Sequence, residues 1–161
     1  MSEFVIDVET DLPPAVAWER LWDLDRHTAT IPLTRVTVDA PATQLGEGVG
    51  FTGRTALGPL GFDDTMRVEV WRPPGPQPTA PQATAPGAPG RAVVVKTGRL
   101  LGGRIEVELV PSSAGNGRGS AVRWRQEVRL PWLPRPLRWI EAIGARLVAP
   151  GYRWVLGRLL A

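Results

Sequence analysis

The 161-residue sequence contains no cysteine. That excludes disulfides, thiol nucleophiles and thiolate metal sites. It has one histidine (His27), one tyrosine (Tyr152) and one lysine (Lys96). No group of His, Asp and Glu has metal-ligand spacing, so no metal and no cofactor are expected. The GxSxG nucleophile elbow and the P-loop lysine motif are absent. GEGVGF (46–51) is rich in glycine, but a strand pattern follows it rather than a helix. It reads as a bent strand, not a phosphate cradle. No run is long and apolar enough to span a bilayer. The opening MSEFVIDVETD is acidic and alternating, without the apolar core of a signal peptide, and a cytoplasmic location is expected.

What is present is an ordinary globular composition, with 43% hydrophobic and 22% charged residues. The length fits one domain spanning 1–161 with a core of its own. The formal net charge is +3, unevenly placed. Residues 1–115 carry 10 basic and 14 acidic groups, whereas residues 116–161 carry 9 basic and 2 acidic ones. The basic third reads as a solvated arginine face. It offers at most weak peripheral contact with an anionic membrane, through Arg138, Arg146 and Arg153. Five of the seven tryptophans (Trp18, Trp22, Trp124, Trp139 and Trp154) lie on or beside apolar stripes. They are expected in the core or a cavity wall, and Trp132 in PWLPRP partly exposed. Base stacking needs an exposed aromatic row in a basic groove, so no nucleic-acid partner is expected.

The patterning gives an element order. EFVIDVE alternates as a half-buried strand with Phe4, Ile6 and Val8 on one side. A helix follows, with Asp11 as N-cap and Pro13 and Pro14 in its first turn. Ala17, Leu21 and Leu24 form its stripe, with Trp18 and Trp22 beside it. A short second helix covers DRHTATI and ends at Pro32. Strands are expected over TRVTVDA, GVGFTGRTAL, FDDTMRVEVW, AVVVKTGR, GRIEVELV and SAVRWRQEVRL. Between the third and fourth of these, residues 73–90 hold seven prolines, three glycines and no charge, and read as a flexible inserted loop. From Pro136 the pattern is helical, with a stripe of Leu137, Ile140, Gly144, Leu147, Gly151 and Val155. Arg135, Arg138, Ala142, Ala145, Arg146, Ala149 and Arg153 lie off it. Pro150 should kink or split this helix. Seven antiparallel strands with one apolar face need a cover, and only the C-terminal helix is long enough.

This order resembles the helix-grip fold of the START and polyketide-cyclase (SRPBCC) superfamily, in particular small bacterial members of unassigned activity. The likeness rests on FVIDVETDLPPAVAWERLWDLDRHTATIPL, GEGVGFTGRT, LGPLGFDDTMRVEVW and the closing amphipathic helix, and covers essentially the whole chain. It implies an α+β fold: a curved seven-stranded antiparallel sheet wrapped around a long C-terminal helix, with two short helices after the first strand. It also implies a deep cavity between sheet and helix for an apolar or amphipathic ligand. Some members cyclise or dehydrate polyketides there; others bind and carry lipids.

Strand parity sorts the side chains around that cavity. With GPLG as a four-residue loop, Leu57 pairs with Phe62, Ala56 with Asp63, Thr55 with Asp64 and Arg54 with Thr65. Asp64 then shares the inner face with Val49, Phe51, Met66, Val68 and Val70, and Asp63 faces water. Val93, Val95 and Thr97 are expected inside, as are Ile105, Val107 and Leu109, and Val122, Trp124, Gln126, Val128 and Leu130. The inward polar set is Thr55, Asp64, Thr97 and Gln126, a small group in an apolar lining as small-molecule sites have. Ligand contacts are therefore expected from Thr55, Asp64, Met66, Thr97, Trp124, Gln126 and Tyr152. The acid/base candidates are Asp64, Tyr152 and His27. A carrier or sensor of a hydrophobic small molecule needs only the cavity. A cyclase- or dehydratase-like enzyme needs those three groups as well. A membrane-peripheral lipid-binding protein is the third reading. The thin catalytic inventory favours the first.

Overall fold

The structure is a computed structural model that describes residues 2–75, 87–112, 119–134, 136 and 139–161. Its elements are β1 (Ser2–Thr10), α1 (Pro14–Leu21), α2 (Leu24–Thr30), β2 (Thr34–Val38), β3 (Gly50–Leu57), β4 (Leu60–Arg72), β5 (Gly90–Thr97), β6 (Gly102–Ser112), β7 (Gly119–Arg129) and α3 (Trp139–Leu160). The seven strands form one antiparallel sheet in the order β1-β7-β6-β5-β4-β3-β2. Strand 7 crosses back to pair with strand 1, so the first and last thirds of the chain meet at one end of the sheet. There α3 lies against β1 and β7 and touches α1 and α2. The order inferred from patterning is the one observed.

The alternation in β1, β6 and β7 explains the core. Phe4 and Ile6 are buried, as are Ile105, Val107 and Leu109, and Val122, Trp124 and Gln126. The partners between them are charged and form exposed pairs on the outer face, Arg123–Asp7 (2.8 Å) and Arg125–Glu3 (3.4 Å). A glycine is obligatory at position 103 of β6. Its φ is +135°, and a Cβ there would overlap the Glu127 carbonyl of β7.

Helix α1 differs from expectation at its start. Pro13 takes the N-cap position with no side-chain cap, and Pro14 is the first helical residue. Asp11 is not the cap. The chain is fixed there instead by Ser120 Oγ donating to the Leu12 carbonyl (2.7 Å). Asp23 caps α2 by accepting from the N–H groups of Asp25 (3.0 Å) and Arg26 (3.1 Å). Ala17 and Leu21 are fully buried, and Trp18 and Trp22 pack at 5.8 Å.

Helix α3 runs unbroken through Pro150. Of the described part of the predicted stripe, Val155 faces the interior and Gly151 does not. Leu156, Leu159 and Leu160 are buried, with Ala149 and Tyr152 packed on the core, while Gly151 is exposed. A stripe carried by glycines buries nothing, and the leucines and the tyrosine win. The earlier half of that stripe, and Arg138 and Arg146, lie outside the described side chains. So does most of the inserted segment, residues 76–86. Trp154 is 55% exposed, with Arg158 above its ring at 5.8 Å, and so is not a core residue. Trp132 is exposed, as expected.

Candidate ligand-binding cavity

The β3–β4 hairpin turns on two residues, not four. Leu57 faces Leu60, and Gly58 sits at φ +59°, as the tight primed turns of hairpins require. Pro59 supplies its fixed negative φ to the second turn position. Every pair is therefore displaced by two residues from the predicted register: Thr55 opposes Phe62, Arg54 opposes Asp63 and Gly53 opposes Asp64. A displacement of two preserves the faces. Asp63 is exposed and pairs with Arg54 at 3.3 Å, while Asp64 points to the interior.

The next strand departs from the sequence reading. Register between β4 and β5 shifts between Val68 and Val70, around Glu69. After this bulge Trp71, not Val70, joins the core, packing at 5.0 Å on Trp18 and 5.1 Å on Trp22. On β5 the inward residues are Ala92, Val94 and Lys96, opposite Trp71, Val68 and Met66. Val93, Val95 and Thr97 take the other face. Thr97 is exposed, lies outside the cavity and bonds Thr65, with Oγ1 3.0 Å from the Thr65 hydroxyl. The run AVVVK has apolar residues at both parities, so alternation alone does not choose between them. The parity expected from sequence put the sole lysine outside.

Lys96 is in fact one of the most enclosed polar groups of the fold. Its side chain is 4% exposed, and its ammonium donates to Asp64 Oδ2 and approaches Met66 Sδ at 3.9 Å. The Asp64 side chain is 15% exposed. Its second oxygen, Oδ1, is buried with no hydrogen-bond partner among the described residues, and so is the indole nitrogen of Trp22. A buried acid demands a cation. That demand is the signal in the sequence for an inward lysine on the neighbouring strand.

These groups line a cavity of about 210 Å³ between sheet and helices. Sheet residues Phe51, Met66, Val94 and Ile105 give its apolar floor, with Gly53 opposite Asp64. The helices close it with Trp22, Leu24 and His27 on one side and Tyr152, Val155 and Leu156 on the other. Thr55 lines it too, its hydroxyl 2.8 Å from that of Thr34. Phe62 both lines the cavity and is 37% exposed, which marks the hairpin end as an opening. Leu57, Leu60 and Leu33 are exposed around that end, and the Leu33 carbonyl accepts from the Ala56 N–H at 3.0 Å.

Of the residues singled out from sequence, Asp64, Tyr152, His27, Thr55, Met66 and Trp124 are brought to this one cavity. Gln126 lies behind its wall: buried, it accepts from Trp124 Nε1 (3.1 Å) and donates to the Tyr152 hydroxyl (3.5 Å). That leaves the Tyr152 proton free to be donated. His27 Nδ1 lies 2.8 Å from the Asp23 carbonyl, which fixes Nδ1 as the protonated nitrogen of the neutral ring and leaves Nε2 as acceptor. Burial lowers the His27 pKa below its ordinary value; the Asp23 carbonyl and carboxylate pull the other way. Among the described residues no group of acids and histidine could hold a metal ion, and no helix is long and apolar enough to cross a membrane.

No protein-family model and no curated protein sequence matches the chain. Solved structures do. The protein TTHA0849 from Thermus thermophilus superposes with a TM-score of 0.61 at 14% identity over 98% of this chain and 93% of that one. Ara h 8.0201 gives 0.56 at 12% identity, again over 98% and 93%. The di-domain ARO/CYC BexL from the BE-7585A biosynthetic pathway gives 0.54 at 15% identity, covering 99% of this chain and 45% of BexL. At these identities the likeness is one of fold. With its curved seven-stranded sheet, two short helices after β1 and closing helix α3, the chain adopts the helix-grip fold of the START/polyketide-cyclase (SRPBCC) proteins.

Proposed function

We propose that the protein binds a hydrophobic or amphipathic small molecule in the cavity between the sheet and α3, as a carrier or sensor. The observation that carries this reading is the cavity itself: a largely apolar space with a small polar set on its wall. A fold whose only purpose was stability would fill such a space, because unfilled volume costs free energy. The exposed leucines around Phe62 suit an entrance for an apolar cargo.

The groups that could act as acids or bases each hold one protein partner: Asp64 has Lys96, Tyr152 has Gln126 and His27 has the Asp23 carbonyl. All three line the same cavity, so a cyclase- or dehydratase-like turnover is the alternative that the experiment must separate from binding. Native mass spectrometry of protein purified from its own host tests the proposal. Binding predicts a co-purified apolar molecule that is recovered unchanged after incubation. A chemically altered molecule would instead establish the enzyme. Protein that arrives empty and takes up no apolar probe would overturn the reading.

A further inference from the structure

Among the described residues, eleven large apolar side chains are exposed, and six of them (Leu33, Leu57, Leu60, Phe62, Leu100 and Trp132) sit at one end of the sheet. The other five are spread over β1, α1, β6 and α3, so exposure is concentrated rather than scattered. The register brings the six together. Leu57 and Leu60 flank the β3–β4 turn, and Phe62 opposes Thr55 just behind it. The Leu33 carbonyl accepts from the Ala56 N–H. Leu100 lies in the β5–β6 connection, whose Gly98 stands beside the Asp63 carbonyl of β4. Gly102 closes that connection and pairs with Arg129, shortly before Trp132. The hairpin tip itself, ALGPLGF (56–62), has no polar side chain.

Leu33 adds an independent sign. Its φ is +60°, a left-handed conformation that favours glycine or asparagine, and its side chain is 61% exposed. A leucine there strains the backbone and buries nothing in return. The charge at this end also has a sign. Arg35, Arg54, Arg99 and Arg129 stand against Asp63 and Glu127, four positive groups against two negative, a net of +2. Arg35 directly opposes Arg54 across β2 and β3, a like-charge pair that an external anion relieves.

We infer that this end is a docking surface for an anionic lipid bilayer, with the β3–β4 tip inserted at the interface and the arginines among the head groups. Apolar tips ringed by basic side chains bind such surfaces through both terms together. A second copy fits less well, because two such ends would face each other with like charge and a narrow two-residue tip between them. The claim is separate from cargo binding: docking needs no cargo, and a filled cavity does not prevent it. Phe62 and Leu101 of this end also line the cavity, so docking sets its opening against the bilayer.

The experiment is co-sedimentation of the full chain with vesicles of phosphatidylcholine alone or with about one third phosphatidylserine. Wild type is expected to prefer the anionic vesicles, less so at high salt. Leu57→Ser/Leu60→Ser should keep its urea midpoint and lose binding by about tenfold or more. Leu33→Asn suits the left-handed backbone, so it should hold or raise stability and still weaken binding. Arg35→Gln/Arg99→Gln should lose the preference for anionic vesicles. Arg153→Gln/Arg158→Gln is the control on the last turns of α3, where the Leu160 carbonyl meets Thr10 at the opposite end of β1, and it should bind as wild type does. Loss of binding in that control overturns the assignment in favour of the helix arginines. Wild type that ignores both vesicles overturns it outright. So does a wild-type dimer in sedimentation that the leucine variant abolishes, which would give the surface to a second copy.

Discussion

Replacing Lys96 with methionine should destabilise this protein strongly. The methionine keeps the length and apolar stem of the lysine but removes its charge, leaving the Asp64 carboxylate without a counter-ion. Removing one member of a buried pair costs about 3–5 kcal/mol, because the other remains as an uncompensated charge. The Lys96 side chain is almost wholly enclosed and that of Asp64 keeps 15% exposure, so the lower end, about 3 kcal/mol, applies here. For a chain of this length that is roughly 6–12 °C in melting temperature. Urea denaturation followed by tryptophan fluorescence measures it, since Trp22 and Trp124 line the same cavity. The Asp64→Leu/Lys96→Met chain should return to within about 1 kcal/mol of wild type, giving a coupling of about 2 kcal/mol or more between the sites. If the single variant loses under about 0.5 kcal/mol, the carboxylate is solvated and the pair is not a buried one.

Two further outcomes follow from the same geometry. Gly53→Leu projects a side chain into the cavity from a position with no crowding at Cβ; it should leave stability unchanged or slightly raised and weaken naphthalene binding by about tenfold or more, measured by titration. Unchanged naphthalene binding by the folded variant would show that the cavity lies elsewhere. His27 is held below its ordinary pKa of 6.5 by burial, so the unfolded chain takes up its proton first as the pH falls. Its contribution to stability is therefore whole above that value, declines as the pH falls towards the folded pKa, and is constant below it. Melts from about pH 8 to about pH 5 should show a shallower acid slope for His27→Gln than for wild type.

Much of this is legible in the residues. Alternation of apolar and charged side chains places β1, β6 and β7 with the correct inner faces, because each carries charge on one parity only. Asp64 falls inside even with the hairpin loop drawn two residues too long, since parity survives an even error. Lys96 escapes the pattern for two reasons. The valines of β5 occupy both parities, and the inserted segment 73–90 breaks any alternation carried over from β4. Trp71 escapes through the bulge at Glu69. On α3 the predicted stripe counts Gly151 as apolar, yet a glycine has no side chain to bury, and Tyr152 and Leu156 set the facing side instead. The unmet oxygen of Asp64 is beyond any sequence pattern, because it depends on which donors neighbouring strands fail to bring within reach.

The two-residue turn at Gly58–Pro59 has a consequence for how this chain can change length. Residues can leave or enter the tip of the β3–β4 hairpin in pairs without disturbing which groups look at the cargo. A single insertion in β4 between Asp64 and Met66, if no bulge absorbed it, would swing Asp64 outward and Asp63 inward, exchanging a lysine-matched acid for one whose arginine stands on the far side. Drift in the hairpin's span is thus quantised, and the chamber tolerates even-numbered changes while odd ones empty it of its acid.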